Sequence, residues 1–138
     1  MAPHVPITIL SMAQRPQVAT PLTLLELDAE VSGQLTEPGQ VDWYEFKLPK
    51  NQQAIIQLWH EDVKNDPQRR IEVQAYHVEI FQDGSSRGPH GSGMAHGDGV
   101  QSICVGRFKF VEARVFLEVY DDDNMVSDKP YKLTITKT

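Results

Sequence analysis

The sequence predicts an all-β protein, an antiparallel β-sandwich of about eight strands that is jelly-roll-like in its connections. Three observations predict this fold. Short runs of residues alternate between apolar and polar with a period of two. Turn-forming pairs such as Pro38-Gly39 separate the runs. No run shows the helical period, so the elements are expected to pack as sheet on sheet.

The first 21 residues differ from the rest, because four of them are proline. Proline removes a backbone donor and is confined to sheet edges. Residues 1–21 are therefore expected to form an arm or lead-in strand, with at most a short edge strand at 7–10. Residues 22–138 are expected to form a single β-sandwich domain.

Eight runs of period two predict the strands, which lie at 22–27, 30–36, 41–48, 54–60, 71–81, 100–105, 111–120 and 131–136. Within 71–81 the apolar phase switches near Ala75, which predicts a β-bulge or a break into two strands. The charged stretch 61–70 is expected to be a loop. Residues 83–99, rich in Gly, Ser and His, are expected to be the most flexible loop.

The alternation also predicts which side chains form the core. On each strand one face is apolar, and that face should be buried. The residues expected to be buried are Tyr44, Phe46, Leu58, Val115, Leu117, Tyr131 and Leu133. The single cysteine, Cys104, lies between Ile103 and Val105 and is expected to be a small buried hydrophobe.

Composition excludes several classes of protein. The net charge is −6, which argues against nucleic-acid binding, because that would need a basic stripe. No run reaches the roughly 18 apolar residues of a membrane span. The first residues lack the basic and apolar regions of a signal peptide. The sequence therefore leaves three alternatives open. The protein stays in the cytosol, it is exported without a signal peptide, or it is a piece of a longer chain.

Three stretches resemble the bacterial pre-peptidase C-terminal domain. They are Val31-Ser-Gly-Gln-Leu35 with Val41-Asp-Trp-Tyr-Glu-Phe-Lys-Leu-Pro49, then His77-Val-Glu-Ile-Phe-Gln-Asp-Gly84, and finally Phe116-Leu-Glu-Val-Tyr-Asp121 with Lys129-Pro-Tyr-Lys-Leu-Thr-Ile135. The resemblance implies a non-catalytic β-sandwich of extracellular enzymes, similar to collagen-binding and carbohydrate-binding modules, some of which hold calcium. His77 and Glu79 stand where that family often has aspartates.

An acidic loop between the last two strands is the candidate metal site. Ca²⁺ takes six to eight oxygen ligands, and Asp121, Asp123, Asn124 and Asp128 could supply several of them. The spacing is not that of an EF-hand. A solvated acidic turn is the alternative. Calcium is therefore an expected cofactor only if these side chains converge.

Two tryptophans are the candidate ligand-binding residues. Trp43 and Trp59 each lie on the strand face opposite the expected core residues. If their strands pair, they form an aromatic platform able to stack on a sugar ring or pack on a partner chain. The alternative is that the tryptophans are covered by the N-terminal arm or by a second core layer.

The remaining polar clusters carry weaker signals. Glu61, Asp62 and Asp66 form a second acidic group, which nearby Lys64, Arg69 and Arg70 are expected to neutralise. The five histidines show no zinc-binding spacing, and no serine lies in a nucleophile elbow. An enzyme is therefore not expected.

These observations favour a non-catalytic binding module that recognises a protein or polysaccharide surface. The alternative is a structural or assembly subunit, as in a secretion or particle system, that oligomerises through edge strands or the N-terminal arm. Mass in solution separates the two, since a binding module is expected to be a monomer.

Overall fold

The computed structural model describes residues 18–19, 21–66, 68–91, 95–97, 100–109 and 111–138. Eleven strands and one short helix are assigned within these ranges. They are β1 (Val18–Ala19), β2 (Thr23–Leu24), β3 (Glu30–Gly33), β4 (Gln40–Leu48), β5 (Ala54–His60), α1 (Glu61–Asn65), β6 (Ile71–Ile80), β7 (Ser86–Gly91), β8 (Ala95–Gly97), β9 (Val100–Val105), β10 (Glu112–Asp121) and β11 (Tyr131–Lys137). The expected edge strand at 7–10 lies outside the described residues.

The strands form two packed sheets. The first sheet has the order β1-β4-β10-β6-β7, with β2 also pairing along β4, and the second has the order β3-β11-β5-β9-β8. The pairings are antiparallel except those of β1 and β2 with β4, which are parallel. The prediction of an all-β, mainly antiparallel sandwich is confirmed. No helix among the described residues is long and apolar enough to span a bilayer.

The main core lies between the two sheets and contains the expected residues. All seven side chains predicted to be buried are at most 6% exposed, and they belong to one cluster with members from both sheets. Period-two alternation assigned these faces correctly, because each strand turns one row of side chains toward the opposite sheet.

A second buried cluster lies on the outer face of the first sheet. Its members are Val41, Trp43, Tyr76, Val78, Phe116 and Tyr120, with Leu22 and Ile80 packed against them. This cluster explains the phase switch near Ala75. Strand β6 pairs with β10 without a register shift from Ile71 to Ile80, so the predicted bulge or break at that point is wrong. The apolar residues change face because β6 serves the main core first and the second cluster afterwards.

Two segments expected to be loops contain regular structure. Helix α1 begins after His60, whose Nδ1 accepts the backbone N–H of Asp62 at 2.9 Å. Acidic side chains in its first turn and Lys64 in its last turn suit the helix dipole. In the stretch 83–99, β7 pairs with β6 and β8 pairs with β9. Backbone pairing, which needs no apolar period, forms these strands.

Candidate functional site

The outer face of the second sheet carries Trp59. Along β5 the residues alternate, so Ile56, Leu58 and His60 are buried while Trp59 is half-buried on the opposite side. Trp59 is paired with Lys132 of β11 and with Val100 of β9. Trp59 therefore lies on the central strand of the sheet, near the end of that strand.

Uncharged polar side chains lie beside Trp59 on this face. Gln57 is paired with Thr134 and Ser102 on the two neighbouring strands, and its Nε2 lies 3.4 Å from Ser102 Oγ. The charged residues of the face neutralise each other, since Lys132 Nζ lies 3.4 Å from Glu30 Oε1. We call Trp59, Gln57, Ser102, Thr134 and Lys132 the open face.

The predicted platform of two tryptophans is wrong. Trp43 is on β4 in the first sheet and Trp59 is on β5 in the second, so their strands do not pair. Trp43 is 1% exposed and belongs to the second buried cluster, with its ring centroid 6.5 Å from that of Tyr76. The alternative of a second core layer holds for Trp43, and only Trp59 keeps an accessible ring.

Cys104 also lies on the outer side of the second sheet, next to Ile55. It is exposed, so the prediction of a buried cysteine is wrong. Its neighbours Ile103 and Val105 point into the main core, and a residue between two inward side chains of a strand must point outward. Gln53 Nε2 lies 2.7 Å from its Sγ.

The acidic loop after β10 is tied to the chain before β6. Asp121 is 3% exposed, and its Oδ2 lies 3.1 Å from Arg69 Nη2. Asp122 Oδ2 lies 3.4 Å from Arg70 Nη1. Lys129 Nζ lies 3.2 Å from Glu61 Oε2. The predicted neutralisation of the second acidic group by Lys64, Arg69 and Arg70 is wrong in its partners. Both arginines pair with the acidic loop after β10, and Glu61 pairs with Lys129.

The other predicted calcium ligands point to solvent. Asp123, Asn124 and Asp128 are exposed, and Asn124 adopts a positive φ of 55° in the turn. Among the described residues, no three His, Cys, Asp or Glu side chains are grouped as a metal site. The structure does not bring the four predicted ligands together, and calcium binding stays a prediction.

Ser127, Asp62 and His60 lie close together but bond in a structural pattern. Ser127 Oγ donates to Asp62 Oδ2 at 2.5 Å and accepts the backbone N–H of Lys129 at 3.1 Å. His60 Nε2 lies 3.1 Å from the carbonyl oxygen of Lys129, while its Nδ1 caps α1. A nucleophilic serine needs a base within hydrogen-bond reach, and here the imidazole is bonded to backbone on both sides.

A buried polar cluster joins the two sheets. Tyr131 Oη donates to Asp42 Oδ2 at 2.5 Å and hydrogen-bonds Tyr44 Oη. Gln40 Nε2 donates to the other Asp42 oxygen at 2.8 Å. Burial, followed by the hydrogen bond to Asp42, raises the pKa of Tyr131 well above its usual value, so the phenol stays a donor.

Gly33 completes this cluster. It is paired with Tyr131 across β3 and β11, and a Cβ at position 33 would collide with the Tyr131 ring and hydroxyl. Gly33, Asp42, Tyr44 and Tyr131 belong to the stretches that carry the family resemblance. Sequence reasoning assigned Tyr44 and Tyr131 to apolar packing and missed the hydrogen bonds, although an aspartate at an inward position of β4 was a usable signal.

Comparisons with known proteins give a likeness in fold. No family profile matches the sequence, and no curated protein matches it. Among solved structures, the chain is similar to the pre-peptidase C-terminal domain of collagenase from Bacillus anthracis, with 16% identity, a TM-score of 0.47, and coverage of 90% of this chain and 100% of that one. It is also similar to PliG of Aeromonas hydrophila, a periplasmic inhibitor of g-type lysozyme, with 15% identity, a TM-score of 0.45, and coverage of 88% and 100%.

Proposed function

We propose that this chain is a non-catalytic binding module that recognises a polysaccharide or protein surface, and that the open face is its ligand-binding surface. The observation that carries the proposal is the half-buried Trp59 on the outward side of the central strand of the second sheet. Of the two buried clusters formed by the described residues, one lies between the sheets and the other lies on the outer face of the first sheet.

The chemistry of the open face favours a polysaccharide. A sugar ring presents an apolar C–H face for stacking on an indole and hydroxyl groups at its rim. Gln57, Ser102 and Thr134 place amide and hydroxyl groups beside Trp59, which suits those hydroxyls. Because Lys132 and Glu30 pair with each other, the face carries little net charge, and a strongly charged ligand gains nothing from it.

The edges of the sheets favour a module over an assembly subunit. Unprotected edge strands are what allow sheets to extend between chains. Among the described strands, β3 has four residues and includes Glu30, and β7 contains Arg87 and Pro89 and is bulged against β6. Charge, proline and bulges block strand addition. We therefore expect a monomer by light scattering after size exclusion.

Retention on insoluble polysaccharides tests the proposal. The protein is mixed with cellulose, chitin and peptidoglycan, and the bound fraction is measured. Trp59→Ala should abolish retention on whichever polysaccharide binds the native chain, while Trp59→Tyr keeps an aromatic ring and should keep most of it. Lys47→Ala, an exposed change on the other sheet, serves as the matched control.

Two results would contradict this proposal. One is retention that survives Trp59→Ala, because the ring would then not be the contact. The other is a native chain that binds no polysaccharide and is an oligomer in solution, which would favour the assembly subunit. A third result is a monomer that binds no polysaccharide but binds a protein partner and loses it on Trp59→Ala. The open face would then be the binding surface, and its ligand would be a protein.

A further inference from the structure

We propose that His77 and His90 form a binding site for a late first-row divalent metal ion, such as Zn²⁺ or Ni²⁺, through two imidazole nitrogens, with water completing the coordination shell. The two residues lie directly opposite each other on β6 and β7. Their ring centroids are 5.3 Å apart. Imidazole is the preferred side-chain ligand of these ions.

The environment of His77 supports the site. Its Nδ1 is buried and has no hydrogen-bond partner within the described chain. A buried polar atom without a partner calls for an explanation, and a bound ion is one that native proteins use. Phe108 packs on the same ring, with centroids 4.8 Å apart. This contact fixes the ring plane, so less entropy is lost when an ion binds.

The backbone of β7 brings His90 to this position. The register between β6 and β7 shifts between His77 and Glu79. Gly88 has a φ of +123°, and a Cβ there would lie 2.7 Å from the carbonyl oxygen of His77. Only glycine tolerates both conditions. The bulge and this close approach together hold the two imidazoles on neighbouring strands at one level.

The charged groups nearby do not compete strongly for the site. Glu79 lies on the same strand as His77, and its Oε2 is 3.6 Å from Arg87 Nε, so the pair is close to neutral. A neutral imidazole keeps a lone pair for a metal. No three potential metal-binding side chains are grouped in the described ranges, so two nitrogens and water are the expected ligand set.

Untagged full-length protein titrated with NiCl₂ and ZnCl₂ at pH 7.5 tests the site, by calorimetry and by thermal unfolding. We expect one ion per chain and a melting temperature raised by about 10 °C at a hundred times the dissociation constant. His90→Ala, at an exposed position, should weaken binding tenfold or more without changing the melt in chelator. His77→Gln should do the same to binding.

Two further histidines serve as controls. His4→Ala and His96→Ala should leave the affinity unchanged. A metal-bound pair should also protect the chain from trypsin after Arg87, and this protection should be lost in His90→Ala. The proposal is overturned if neither ion binds, if His90→Ala and His77→Gln bind as tightly as the native chain, or if His96→Ala weakens binding as much as His90→Ala.

Discussion

The outward-facing sides of the two sheets differ, although each carries one tryptophan. On the first sheet, Trp43 is 1% exposed and belongs to a cluster with Tyr76, Phe116 and Tyr120. On the second sheet, Trp59 is half-buried between Lys132 and Val100, and the polar residues Gln57, Ser102 and Thr134 lie one residue pair further along the same face. A tryptophan on the outer row of a strand is therefore not by itself a binding signal. The neighbouring rows decide whether it is core or contact surface.

The polar groups of the two outward faces also differ, because those of the first sheet are paired more closely than those of the second. On the first sheet, Tyr76 Oη donates to Glu118 Oε1 at 2.5 Å, and Arg114 contacts both Glu45 carboxylate oxygens at 2.9 Å. On the open face the corresponding contacts are longer, at 3.4 Å. Buried polar groups are in most cases paired within the protein, whereas those of the open face remain able to bond a ligand.

The largest expected effect separates the two tryptophans. Trp43→Ala removes a fully buried side chain and should lower the free energy of unfolding by about 3–5 kcal/mol. Trp59→Ala removes a partly exposed one and should cost less, about 1–3 kcal/mol. Urea unfolding of both variants measures this difference. Equal losses would show that the outer side of the second sheet is as much a packing layer as that of the first.

The main core provides the reference for that measurement. Leu117 is 0% exposed between the sheets, and Leu117→Ala should cost about 2–5 kcal/mol. If Trp43→Ala costs as much as Leu117→Ala, the second cluster contributes to stability like a core. A cost below about 1 kcal/mol for Leu117→Ala would mean that the faces are assigned the wrong way round.

A smaller effect concerns the polar cluster that holds the two sheets together. Tyr131→Phe keeps the ring but removes the donor to buried Asp42, and we expect a loss of about 1–3 kcal/mol. Gly33→Ala places a methyl group against the same ring and should cost about 1–3 kcal/mol through overpacking. Thermal or urea unfolding measures both changes.

The matched control for this pair is Ser32→Ala, at an exposed position on the same strand. Stability unchanged in Gly33→Ala would show that Tyr131 can move aside, and would remove the physical reason given for glycine at position 33. Tyr131→Phe and Gly33→Ala should not affect retention on polysaccharide, because the polar cluster lies between the sheets and the open face lies outside them.

Period two in the sequence predicts which side of a strand a residue faces, and it does so correctly from Tyr44 to Leu133. It does not predict what covers that side, and for this reason Trp43 and Trp59 looked equivalent. The period-two pattern also does not predict which residues pair across neighbouring strands. The approach of His90 to His77 depends on a bulge and on a glycine with positive φ, and the bond from Tyr131 to Asp42 joins residues 89 positions apart.

Acidification should weaken the connection between β5 and the loop before β11. Burial is the main cause that lowers the pKa of His60 below its ordinary value of 6.5. The neutral ring is therefore favoured in the folded state, and its stabilisation is fully present above pH 6.5. It is lost as the pH falls from there toward the folded-state pKa, by at most about 1.4 kcal/mol per pH unit.

Urea unfolding at pH 7.5 and at lower pH values measures that slope. His60→Asn retains an oxygen that can cap α1 but does not titrate, so the difference between the two slopes isolates His60. His77, whose pKa is also lowered, remains in both proteins and cancels. Identical slopes would show that His60 does not drive the acid sensitivity.

The smallest expected effect is that of calcium on the loop joining the two sheets. Asp121 and Asp122 already have Arg69 and Arg70 beside them, so an added cation would have to compete with these guanidinium groups. If the loop binds calcium as the sequence predicts, millimolar CaCl₂ should raise the melting temperature slightly more than NaCl of equal ionic strength, which only screens the exposed carboxylates. That calcium-specific rise should disappear in Asp123→Ala/Asp128→Ala, since those two exposed changes leave both arginine pairs intact. A shift equal to that of NaCl would identify the loop as a solvated acidic turn.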